Sequence, residues 1–186
     1  MRCSKLVVPS LLLSLVLACA APHPPAVHGS APPAASLGAI PANWPTLTDT
    51  AYGFSLRYPA GWTEKFDQPA GFHALASRDD LTNLLELGNN DYWFVAQAGA
   101  RDPSAGCGEP TQGPVQRTAT TMGGLAATRY VITGSRGGET QHIVDVISTR
   151  GANCFTLQLV TGGAIPLDRA MSTIEEIQSS YRFSTA

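Results

Sequence analysis

The sequence predicts an α+β domain, a mainly antiparallel β-sheet with helix packed on it. Three observations carry this expectation. Phe54, Leu56 and Tyr58 alternate with Ser55 and Arg57, the period-two pattern of a half-buried strand. Residues 141–148 and 154–160 flank a short turn and read as a hairpin, with Phe155, Leu157 and Leu159 alternating with Thr156 and Gln158. After Gly162-Gly163 and Pro166 the period lengthens, and Leu167, Ala170, Met171, Ile174, Ile177 and Tyr181 fall on one helical stripe. A sheet with one apolar face needs such a stripe to cover it.

The elements follow in order. The strand at Phe54 runs into Tyr58-Pro59-Ala60-Gly61, whose proline in second and glycine in fourth place signal a type I turn. Trp62 to Phe66 is then expected to return as its hairpin partner. Residues 71–77 and 92–98 are further strands. Between them, Leu81, Leu84 and Leu85 suit a helix face, but Asn83 and Gly88 leave that stretch short and its type open. Residues 125–133 continue the series, with Tyr130-Val131-Ile132 as the apolar part. The turn of the late hairpin is Thr149-Arg150-Gly151-Ala152-Asn153. Pro166 sits where proline is tolerated, at or just before the first turn of a helix.

Ahead of this domain stands a different kind of sequence. Arg2 and Lys5 give a basic start, an uncharged run occupies residues 6–18, and Val16-Leu17-Ala18-Cys19 ends it. The run has thirteen positions, against roughly 20 needed to cross a bilayer core, so it reads as an export signal. This resembles the signal and lipobox of bacterial lipoproteins. The resemblance implies that Cys19 becomes the lipidated first residue of the mature protein. More than one acyl chain makes such anchoring durable. Ala20 and Ala21 bring no acidic residue after the cysteine, which resembles lipoproteins sent on to the outer membrane, facing the periplasm. Ala18-Cys19-Ala20 also fits ordinary cleavage after Ala20, which would release a soluble protein.

Residues 1–18 are therefore expected to be signal, 19–43 a Pro/Ala-rich tether and 44–186 one domain. Ala20 to Pro45 holds seven prolines and no charge, a composition that cannot bury enough surface to offset the entropy of ordering. His23 and His28 lie in it, five apart, a poor basis for a metal site. Some 143 residues remain, enough for a single core. Loss of Arg2 and Lys5 with the signal takes the formal net charge from −2 to −4. A mildly acidic domain without Lys/Arg clusters argues against a nucleic-acid partner.

Cys3 leaves with the signal and Cys19 carries lipid, so Cys107 and Cys154 remain as a pair. In an exported protein such a pair reads first as a disulfide. Neither belongs to a CxxC motif, which speaks against redox catalysis.

Catalytic motifs are wanting. His73, His142, Asp145 and many serines are present, but no G-x-S-x-G elbow. On a strand, His142 and Asp145 point to opposite faces and cannot form a base and its orienting acid. Asp79-Asp80 and Asn89-Asn90-Asp91 lack an EF-hand pattern and read as solvated turns. The paired glycines sit in no phosphate-loop context, and Arg136 alone is weak evidence for an anion site. No cofactor is expected.

Tyr52-Gly53-Phe54-Ser55-Leu56-Arg57-Tyr58-Pro59-Ala60-Gly61-Trp62 resembles the opening of PsbP-like domains (the Mog1/PsbP fold), with their Phe-x-x-x-Tyr-Pro-x-Gly-Trp strand and turn. The close on Ser180-Tyr181-Arg182-Phe183 is similar to the end of such domains. The resemblance implies an α/β/α sandwich and a non-enzymatic binding or scaffolding module that assists assembly of protein complexes. Phe54, Tyr58 and Trp62 are expected in the core. The sequence thus points to a membrane-tethered cell-envelope lipoprotein whose partner is another envelope protein. Two alternatives stay open, an envelope hydrolase with a site assembled from distant residues, and a small-ligand carrier with a closed apolar cavity.

Overall fold

The computed structural model describes residues 39–65, 69–110, 114–136 and 138–184. Cys19, the signal and residues 19–38 of the tether lie outside the described residues. The strands in order are β1 (Thr46–Asp49), β2 (Phe54–Arg57), β3 (Thr63–Lys65), β4 (Phe72–Ala76), β5 (Tyr92–Ala100), β6 (Val115–Met122), β7 (Leu125–Arg136), β8 (Glu139–Arg150), β9 (Asn153–Thr161) and β10 (Arg182–Phe183). The helix α1 (Leu167–Ser180) lies between β9 and β10, and a 3₁₀ turn occupies Leu84–Glu86.

Among the described residues the strands form two antiparallel sheets. The large one runs β3-β4-β5-β9-β8-β7-β6, the small one β1-β2-β10. Helix and small sheet cover the same face of the large sheet. Their buried side chains, Leu47, Phe54, Leu56, Ala170, Ile174, Ile177 and Tyr181, form one core with Leu75, Phe94, Val144, Val146, Phe155, Leu157 and Leu159. Full burial of a side chain such as Ile174 or Leu157 stabilises by about 1.5–3 kcal/mol. The rings of Phe54 and Tyr181 stack with centroids 5.4 Å apart, closing the small sheet onto this core.

The helix begins as its sequence suggests. Pro166 stands at the N-cap in an extended conformation, its carbonyl accepting from Arg169 and Ala170 N–H. Its end has no glycine; Arg182 Nη1 instead donates to the Ser179 and Tyr181 carbonyls at 2.7 Å each, placing a cation at the negative end of the helix dipole. Arg129 on β7 reaches Glu175 at 2.6 Å and Gln178 at 3.3 Å, which fixes the helix on the sheet.

Several local expectations are corrected. The Pro59 carbonyl accepts from Trp62 N–H, so proline stands first in the turn and Gly61, at φ 87°, third, a type II pattern in place of type I. The chain then leaves the small sheet, and β3 pairs with β4 rather than returning beside β2. Phe54 is core, as expected, whereas Tyr58 and Trp62 are half-buried at its rim. The Leu-rich stretch forms only the short 3₁₀ turn. Of the two helical layers that an α/β/α sandwich implies, the described residues supply one. Opposite the helix, residues 78–91 lie on part of the sheet, where Leu81, Leu84 and Leu87 pack on Ala74, Ala76, Trp93 and Val160.

Candidate functional site

His73 is the sequence-flagged residue that the fold brings beside carboxylates. It lies on β4 facing the small sheet, its Nε2 3.0 Å from Asp49 Oδ2 on β1 and its Nδ1 2.8 Å from Glu64 Oε1 on β3. The Phe54 ring meets it edge-on at 6.0 Å. Asp49 is 5% exposed and also accepts the N–H groups of Tyr52 at 2.8 Å and Gly71 at 2.6 Å. Burial works against its charge. The Tyr52, His73 and Gly71 hydrogen bonds outweigh that and hold the carboxyl below its ordinary value. A general base needs a ring nitrogen free for substrate. Here both nitrogens face carboxylates, and the two carboxylates sit on opposite sides of the ring, where they cannot converge on one ion. The cluster is a bridge between sheets.

The other flagged groups lie apart. His142 pairs with Thr133 Oγ1 at 3.1 Å at the surface, and Asp145 points to the opposite face of β8. Arg136 donates to the Leu84 carbonyl at 2.8 Å. Asp80 and Asp91 flank Arg78 at 2.6 and 2.8 Å, so these turn acids hold the 78–91 segment together. Cys107 and Cys154 form a disulfide, with Cα atoms 5.5 Å apart. It clamps the segment 101–110 to β9, the Asp102 side chain capping Ser104 and Ala105 N–H within that segment.

What remains is the face of the large sheet opposite the helix. Val95, Gln158, Asp145 and Tyr130 stand in register across β5, β9, β8 and β7. The adjacent row is Gln97, Thr156, Ile147 and Thr128. Residues 78–91 cover one end of this face, and the disulfide-bound segment 101–110 borders the other. Two clefts open between them. One of about 270 Å³ is lined by Gln97, Gly99, Thr156, Cys154, Asp102 and Gly106. Another of about 200 Å³ is lined by Glu109, Thr128, Tyr130, Ile147 and Thr149. Because Thr156, Ile147 and Thr128 are successive partners across strands, the clefts lie side by side. Arg117 stacks over Tyr130 at 5.6 Å on the rim.

Asp145 gives this face its chemical character. It is 6% exposed, its buried Oδ1 has no hydrogen-bond partner among the described residues, and its carboxyl is raised above the ordinary value by burial, against a hydrogen bond from the Gln158 side chain. An unsatisfied carboxyl in a sheet costs stability. The signal in the sequence was an acid inside the apolar run Ile143-Val144-Asp145-Val146-Ile147; alternation separated it from His142 but named no partner for it.

Among the described residues no helix is long and apolar enough to cross a membrane, and no cluster of three His, Cys, Asp or Glu side chains could hold a metal. No protein-family model and no curated protein matches the chain. Solved structures do. A protein from Bacteroides thetaiotaomicron VPI-5482 aligns with a TM-score of 0.51 at 15% identity, over 75% of this chain and 48% of its own. The chain thus spans about half the length of that protein. The cyanobacterial PsbP (CyanoP) of Synechocystis sp. PCC 6803 aligns with a TM-score of 0.53 at 15% identity, over 84% of this chain and 98% of its own. LpqN of Mycobacterium tuberculosis, described as involved in cell envelope biogenesis, reaches 0.45 at 15% identity, over 77% and 86%. At such identity the likeness speaks to architecture. Antiparallel sheets with one helix across them, in the arrangement of CyanoP, make this a PsbP-like α+β fold.

Proposed function

We propose that this protein is a lipid-anchored component of the bacterial cell envelope, and that its PsbP-like domain works by binding another envelope protein rather than by catalysis. The anchor is Cys19 at the end of its lipobox-like segment, and the proline-rich stretch after it is the tether. The observation that carries the binding reading is the open face of the large sheet. A rigid strand platform presents Gln97, Thr128, Thr149 and Thr156 beside a loop pinned by the Cys107–Cys154 disulfide. Loops positioned on a rigid scaffold are where recognition concentrates. Beneath this platform lies the buried Asp145 carboxyl, a group that costs stability where it stands and whose retention fits a binding role. His73, with both ring nitrogens engaged, offers no base for a hydrolase.

Two measurements test this. Palmitate labelling and mass spectrometry of the mature N-terminus should find lipid on Cys19, lost in Cys19→Ala; a lipid-free N-terminus at Ala21 would refute the anchor. A photo-crosslinker placed at Thr156 should capture a discrete envelope protein, whereas one at exposed Ser172 on the helix should not. Equal capture from both positions, or capture unchanged by Thr128→Arg, would refute the binding face.

A further inference from the structure

The small sheet has an outer face as well. Antiparallel register places Thr46 opposite Arg57, Thr48 opposite Ser55, and Ser55 opposite Arg182. Their neighbours Leu47, Asp49, Phe54, Leu56 and Tyr181 are buried, so alternation turns Thr46, Thr48, Ser55, Arg57 and Arg182 outward together. Arg57 and Arg182 are diagonal neighbours on this face, a spacing of roughly 7–8 Å. Neither forms an ion pair with a carboxylate among the described residues. Two like charges therefore stand as diagonal neighbours with no carboxylate between them among the described residues, an arrangement that favours an anion.

Both guanidiniums are held in place by neutral groups. Arg57 donates through Nε and Nη2 to the Pro41, Ala42 and Trp44 carbonyls at 2.8–3.2 Å, which leaves Nη1 without a partner among the described residues. Arg182 uses Nη1 for the end of the helix, and its Nε and Nη2 have no partner among the described residues. Between them lies a cleft of about 370 Å³, lined by both arginines with Thr46, Ser55, Ser180 and Ile40. Its volume is that of a small-ligand site. Ser180 Oγ is already engaged with Arg57 and Ile177, whereas the Thr46 and Ser55 hydroxyls have no partner among the described residues.

We infer that this cleft binds a phosphate group, with Arg57 Nη1, Arg182 Nε and Nη2, and the Thr46 and Ser55 hydroxyls as donors. Donors from three strands, β1, β2 and β10, line the one cleft, which suits an oxyanion with several acceptor oxygens better than a carboxylate with two. Fixed guanidinium forks lose little freedom on binding it. The phosphate belongs either to a soluble phosphate ester or to an anionic lipid headgroup; the chemistry of recognition is the same. This site is independent of the open face of the large sheet.

The test is a titration of the full chain with inorganic phosphate at low salt, followed by calorimetry. Saturable binding is expected. Loss of the Arg182 charge and its two donors in Arg182→Gln should weaken it about tenfold or more. Ser55→Glu should abolish it by placing a carboxylate between the arginines. Arg169→Gln, which removes an equal charge on the exposed helix, should leave it unchanged. Thermal melts of Arg182→Gln and Ser55→Glu verify folding, so the risk that Arg57→Ala unfolds the leading segment is avoided. Pelleting with phosphatidylglycerol vesicles, measured as the excess over phosphatidylcholine vesicles, separates the sources. Excess pelleting that Arg182→Gln reduces, without binding of free phosphate, assigns the lipid headgroup; binding of free phosphate that Arg182→Gln weakens assigns a soluble ester. Wild-type protein that binds neither, or variants that bind as the wild type does, would overturn the inference.

Discussion

His73 on β4 and Asp49 on β1 join the two sheets, Nε2 lying 3.0 Å from a carboxylate oxygen that is almost wholly buried. The contact ties residues 24 positions apart, and the same Asp49 holds the turns at Tyr52 and Gly71. One side chain therefore serves three donors at the seam between small and large sheet.

Asp49→Asn should destabilise the domain by about 1–3 kcal/mol at neutral pH, because the amide loses the charge and cannot satisfy all three donors. The pH dependence has a definite sign. Asp49's folded-state value is depressed below its ordinary 3.8, so its contribution is fully present above that value. It is lost as pH falls from there through the lower folded-state value. Urea unfolding across the acid range should find wild type and variant converging in that window. Equal stability at neutral pH would remove Asp49 from the seam's energetics.

The Cys107–Cys154 bridge joins positions separated by 47 residues, and opening it should cost roughly 4 kcal/mol in the chain-entropy model. Cys154 sits on the central strand β9, whereas Cys107 lies in the segment 101–110, which joins neither sheet among the described residues. Reduction should therefore free amide exchange at 101–110 while β5 and β9 stay protected. Uniform loss of protection across the sheet would mean that the bridge supports the core rather than the loop.

These elements differ in how far the sequence announced them. The disulfide was legible by elimination, since only Cys107 and Cys154 remain once Cys3 and Cys19 are assigned to the signal and its lipobox. The strands with alternating large side chains and the helix with its stripe were legible from period alone. β6 was not, because Gln116, Arg117, Thr118 and Thr120 mark an edge strand with little to bury. β1 offered only Leu47 and the short polar residues around it. The switch of sheet after Gly61 was hidden, because a turn signal does not say which strand will receive the returning chain. The Asp49–His73–Glu64 bridge and the Arg57–Arg182 face arise from pairing between β1, β2, β3, β4 and β10, and no local pattern encodes such register. The Asp145 face was half legible; an acid in an apolar strand stood out, but its neighbours Tyr130 and Gln158 come from β7 and β9.

Asp145 supplies the last prediction, in which stability and binding move in opposite directions. Burial raises its carboxyl above the ordinary value, so ionisation is harder in the folded chain than in the unfolded one. For an acid shifted this way, the penalty appears as pH rises past the ordinary value and is complete once pH exceeds the folded-state value. Asp145→Asn removes the ionisable group while keeping its shape and its contact with Gln158. It should stabilise the domain at neutral pH, because a neutral amide takes the place of a buried charge, with the gain vanishing in acid. If this buried carboxyl is retained because the binding face above it depends on its charge, the same variant should reduce crosslinking from Thr156 several-fold despite its greater stability. A costly buried group kept at a recognition surface is the pattern of stability given up for function. An Asp145→Asn protein that is less stable, or that crosslinks as well as the wild type, would make the carboxylate a structural residue and leave the face to its threonines and Gln97.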